Sequence, residues 1–112
     1  MEEQEIKEGI LYLLSHNSDI GDGLGHTLIE IQNFLEHNDI WKKDKYDQEK
    51  NKENWEKIKN LLDEMEKEGL IEERHFGEEL MGRVDYSSEN LGFELIKDKE
   101  KELEAKWKIA KE

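Results

Sequence analysis

Seven lysines (Lys42, Lys43, Lys45, Lys50, Lys52, Lys57 and Lys59) fall within eighteen residues, against five acids, Asp44, Asp47, Glu49, Glu53 and Glu56. This local excess of +2 stands in a chain of net charge −13, which leaves −15 for the remainder. Lysine neutralises phosphate, asparagine pairs with the adenine edge, and a helix start turns N–H groups toward anions. Lys50, Lys52, Asn54, Lys57 and Lys59, with Arg74 and Arg83 further along, are therefore residue types able to contact a nucleic acid. The competing reading is that each lysine balances the acids beside it on a wet helix face. Asp63, Glu64, Glu66 and Glu68 follow closely, and a strongly acidic chain repels a polyanion. The same segment also carries Trp41 and Tyr46, which suit the anchoring of another protein. Trp55 begins an apolar helix face and is expected in the core.

Other chemistry finds little support. His16, His26, His37 and His75 are widely separated, and none lies in an HExxH spacing. Asp19 with Asp22, or Glu78 with Glu79, are pairs that thirty acidic residues produce by chance. They lack the further ligands of a calcium loop. "GDGLG" has neither Walker nor dinucleotide spacing, and no serine sits in a nucleophile elbow. Cysteine is absent, which removes disulfides and thiolate ligands and fits a reducing compartment. The expectation is a non-enzyme with no metal or cofactor.

The elements that position these residues follow from periodicity. Ile6, Ile10, Leu13 and Leu14 give a first amphipathic helix over 3–16. After three glycines, Thr27 and Glu30 form a capping box at the head of a helix over 27–37, with Leu28, Ile31 and Leu35 inward. Trp55, Ile58, Leu62 and Met65, widened by Leu61, mark a helix over 51–68 that Gly69 ends. "LIEERHF" and "MGRVDY" read as a hairpin whose acidic connection is bounded by Gly77 and Gly82. Ser87 and Ser88 are candidate caps for one long helix over 89–110. On that helix Leu95 or Ile96, then Leu103, Trp107 and Ala110, make a narrow stripe suited either to the parent core or to a seam with a second copy, for which Leu95, Leu103, Trp107 and Ala110 are the candidates.

The order helix, helix, helix, hairpin, helix resembles a winged helix-turn-helix domain. "LLDEMEKEGLIEERHF" looks like a recognition helix running through glycine into the first wing strand. "VDYSSENLGFELIKDKEKEL" is similar to the passage from wing to C-terminal helix in PadR-like and MarR-like regulators, here through Tyr86, Ser87, Ser88, Leu91, Gly92 and Leu95. The resemblance implies a recognition helix over 51–68, a wing over 71–86, and a homodimeric transcriptional regulator that binds double-stranded DNA. Two departures are visible: a long connection from Asn38 to Lys50, and Glu78 and Glu79 at the wing tip where basic residues would be expected.

With 112 residues, the chain is expected to form a single domain over 1–112, mainly α with a small β-hairpin, ending in a long C-terminal helix. No stretch approaches the ~20 apolar residues that span a bilayer, and the first residues are acidic where a secretory signal is basic. A cytoplasmic protein without membrane partners is the corresponding expectation. The functional choice lies between a DNA-binding regulator and an acidic protein-interaction module of the same fold.

Overall fold

The computed structural model describes residues 3–15, 26–41, 46–75, 84–88 and 90–108. Helix α1 spans Glu3–Leu14, with Glu3 and Glu5 in its first turn, where carboxylates complement the helix dipole. Its buried surface is wider than the expected stripe, because Gly9, Leu11 and Tyr12 join Ile6, Ile10, Leu13 and Leu14 inside. Helix α2 spans Leu28–His37 and buries Ile31, Phe34 and Leu35. Thr27 caps it, its hydroxyl accepting from the Glu30 N–H at 3.2 Å. The expected box is seen from this side, while the Glu30 carboxylate meets Nδ1 of His26 at 3.0 Å.

Helix α3, Gln48–Lys67, begins three residues before the expected start because Asp47 caps it, accepting from the Lys50 N–H at 3.0 Å. Ile58, Leu61, Leu62 and Met65 are buried as the spacing predicts, whereas Trp55 is half-buried, with Lys59 Nζ 5.8 Å from its ring centroid. Two helices end in the same motif. At the end of α3, the Gly69 N–H donates to Glu66 and the Leu70 N–H to Met65. At the end of α2, the Asp39 N–H donates to Glu36 and the Ile40 N–H to Leu35. Both are Schellman turns, with the left-handed residue at φ 77° for Gly69 and 59° for Asp39.

Strands β2 (Ile71–His75) and β3 (Val84–Ser88) pair antiparallel, with Ile71 opposite Ser88 and His75 opposite Val84. Ser87 and Ser88 therefore belong to the ladder. A third strand, absent from the sequence reading, is β1, His26–Thr27. It pairs with the other edge of β3, giving the order β1-β3-β2.

The expected single C-terminal helix is two helices, α4 (Asn90–Lys97) and α5 (Glu100–Lys106). Between them the Lys99 N–H bonds to the Ile96 carbonyl, a tightened turn. Both pack on α1, and Lys99–Glu8 (2.9 Å) and Lys106–Glu5 (3.1 Å) tie the break and the end of α5 to it. Gly92 is buried where a side chain would meet the Leu70 carbonyl and the Ser88 hydroxyl.

The core gathers residues of α1, α2, α3, β2, α4 and α5. Leu103 and Trp107 are each only 2% exposed. Trp107 stacks on Phe34 with centroids 5.3 Å apart and lies against Gly9. The Asn38 side chain grips the next residue, its amide donating to the Lys108 carbonyl and its oxygen accepting from the Lys108 N–H, both at 2.8 Å. Of the two roles open to Leu103 and Trp107, burial in the parent core is the one seen: one copy of the chain buries both. Ala110, Gly77, Gly82, Glu78 and Glu79 lie outside the described residues.

Candidate functional site

Helix α3 turns Ile58, Leu61, Leu62 and Met65 to the core, so its 3.6-residue period fixes where every other side chain stands. Lys57 lines a groove toward α1, and Lys50, seven residues earlier, shares that flank. Lys59 lines a second groove toward the sheet, and Lys52 shares that flank. The four lysines are exposed but divided between the two sides of the helix. Its outward crest carries Glu49, Glu53, Glu56, Asn60, Asp63 and Lys67, with Lys52 at its edge in line with Asp63, all exposed. Lys67 sits 3.6 Å from Asp63.

Asn54 is half-buried on the inward half of the helix, away from the crest on which a base-reading amide would stand. The helix start is also unlike a phosphate cradle, because the Asp47 carboxylate already occupies the Lys50 N–H. Arg74 lies in β2 opposite Asp85. Its side chain, all of Arg83, and Lys42, Lys43 and Lys45 lie outside the described residues.

Asn60 stands on the ridge between the two grooves and lines both. The sheet-side groove, about 350 Å³, is lined by Lys59, Asp63, Glu66, Glu73 and Tyr86. Burial raises the Tyr86 phenol above its ordinary value of 10.0, and the charges of Glu73, Glu66 and Asp63 raise it further. This groove is therefore a region of negative potential. The groove toward α1, about 440 Å³, has Ile6 and Leu61 as apolar lining, with Trp41, Glu3, Lys57 and Glu64 around them.

Trp41 and Tyr46, the expected protein anchors, have different surroundings. Trp41 is half-buried and packs against the core, whereas Tyr46 is 96% exposed. On α4, Leu95 is 47% exposed, with Leu91 and Phe93 also largely open. Leu95 is thus the one described member of the expected seam that remains at the surface.

Across α1 and α3, Lys7 reaches Glu64 at 3.4 Å and Glu68 at 3.2 Å. Its burial opposes the charge, but the two carboxylates outweigh burial and hold its pKa above the ordinary lysine value. Of the histidines, His26 is buried beside Glu30 and His37 is exposed at the end of α2. Among the described residues no three His, Cys, Asp or Glu side chains gather as a metal site, and no helix is long and apolar enough to cross a membrane.

The reading by residue type missed the apolar groove toward α1, although Ile6 and Leu61 were both visible as members of helical stripes. Only the packing of α1 beside α3 brings them together with Trp41. No family model matches the chain, and no curated protein or solved structure matches it.

Proposed function

We propose that the chain is a winged-helix module that recognises another protein, one with a basic surface, rather than double-stranded DNA. The winged-helix reading is supported by the succession α1, β1, α2, α3, β2, β3 and by a sheet whose order is β1-β3-β2. In this reading α3 holds the position of the recognition helix and β2–β3 that of the wing. Fold and function remain separate claims, and the functional one rests on charge.

The observation that carries it is the crest of α3. Four carboxylates, Glu49, Glu53, Glu56 and Asp63, face outward against two lysines, Lys67 and, at the edge of the crest, Lys52, and Glu66 and Glu73 extend the negative surface into the sheet-side groove. Affinity for a duplex comes largely from cations that displace counterions from phosphates, and a carboxylate crest opposes that exchange. A partner rich in lysine and arginine meets the same surface favourably and gains association rate from it.

The lysines favour the second reading, a small DNA-binding transcriptional regulator, in which Lys52 and Lys59 on one flank and Lys50 and Lys57 on the other straddle the groove edges. A homodimer of either kind has Leu95, with Leu91 one turn away, as its surface on α4. Presenting the whole chain with separate pools of random duplex and random peptide distinguishes the two functions. Retention of lysine- and arginine-rich peptides and not of duplex is expected, and retention of duplex alone would overturn the proposal.

A further inference from the structure

We propose that the groove between α1, Trp41 and α3 seats an apolar side chain of a partner segment that carries lysine or arginine beside it. This deepens the protein-recognition reading and rests on it. Ile6 and Leu61, 8% and 5% exposed, form a narrow apolar floor held in place by the core. Trp41 packs its inner part on that core and leaves the rest at the groove. A half-exposed indole on a rigid base is the kind of residue that dominates binding energy at protein interfaces. The volume, about 440 Å³, lies within the range of about 300–1,000 Å³ typical of ligand sites.

Charge selects the occupant. Glu3 and Glu64 line the groove and are exposed, and Glu53 stands on the neighbouring part of the crest. Against them stand Lys57, with Lys50 on the same flank, and Lys7, which is shared between Glu64 and Glu68, so among the lining side chains the carboxylates of Glu3 and Glu64 face the single ammonium of Lys57. Carboxylates therefore outnumber ammonium groups around an apolar base. An apolar anchor flanked by cations satisfies both features, whereas an acidic or phosphorylated segment satisfies only the first.

The test is selection of a random dodecapeptide library on the full chain, followed by affinity measurements on the enriched peptides with folding checked by circular dichroism. Enriched sequences are expected to place Leu, Ile, Phe or Trp next to Lys or Arg. Trp41→Ala should weaken them about thirtyfold, a loss typical of an aromatic hot spot. Glu3→Lys should weaken them about tenfold, the circular dichroism check covering its loss of a first-turn carboxylate from α1, and Lys57→Glu should strengthen them severalfold. Basic peptides that ignore Trp41→Ala and Glu3→Lys but are lost on Glu56→Lys with Asp63→Lys would overturn the groove and leave protein recognition by the crest standing. Enrichment of acidic peptides, or of none while duplex is retained, would overturn both.

Discussion

The indole of Trp107 lies so close over Gly9 that any side chain at position 9 would fall inside the ring. Alanine at an open helix site normally gains about 1 kcal/mol over glycine. Here Gly9→Ala should reverse that sign and cost about 1–3 kcal/mol, the range for overpacking. Urea unfolding monitored at 222 nm reads the difference. A stabilised Gly9→Ala protein would mean that Trp107 does not pack on α1.

The two Schellman turns differ in the residue placed at positive φ. Gly69 takes it without strain, whereas Asp39 holds φ 59° with a Cβ. Asp39→Gly should therefore stabilise the protein by about 0.5–1 kcal/mol, and Gly69→Ala should destabilise it by about 1 kcal/mol. Thermal midpoints of the two variants should move in opposite directions.

Asn38 joins the end of α2 to the main chain after α5, its amide also donating to the Phe34 carbonyl at 2.8 Å. Asn38→Ala removes these bonds from a half-exposed site and should cost about 1–2 kcal/mol. Hydrogen exchange gives a local readout, since the Lys108 amide should lose protection more than amides in the middle of α3.

Alkali should unfold the protein through groups that the fold holds protonated. Lys7 is raised above 10.5, because the Glu68 and Glu64 carboxylates overcome its burial. Tyr12 is raised above 10.0 by burial and then by Glu104 and Glu100, and Tyr86 by burial and the acids around it. The folded state binds these protons more tightly than the unfolded chain. Their contribution is complete below the ordinary values and disappears as pH rises through the raised ones. The urea midpoint should hold up to about pH 10 and fall above it, and Lys7→Met should flatten part of that fall at a cost of about 1 kcal/mol near neutral pH.

Some of this was legible in the residues. The stripe Ile58, Leu61, Leu62, Met65 and the stop at Gly69 identify α3, and Thr27 identifies the start of α2, because caps and periodicity are local signals. Strand β1 has two residues, too few for any period, and forms only because β3 offers a free edge. The break at Lys99 is hidden because Gly92, Ile96, Leu103 and Trp107 keep one helical register across it. The burial of Trp107 is not a local signal, because its neighbours, Gly9 and Phe34, lie far away in sequence. The arrangement of the lysine cluster was hidden for another reason: counting charge along the chain ignores the helix face. Lys50 with Lys57, and Lys52 with Lys59, each stand seven residues apart, and that spacing already divides them between two flanks.

The central claim is that the carboxylate crest of α3 excludes duplex DNA. Its most direct test is fluorescence anisotropy of a labelled random duplex at low salt, with the native chain and with Glu56→Lys plus Asp63→Lys. The native chain should show no binding tighter than about 10⁻⁴ M, the weak end of non-specific association, and the charge-reversed protein should gain affinity that falls steeply with salt. Tight, salt-dependent binding by the native chain, lost when Lys52 and Lys57 become alanine, would contradict the account and restore the DNA-binding regulator.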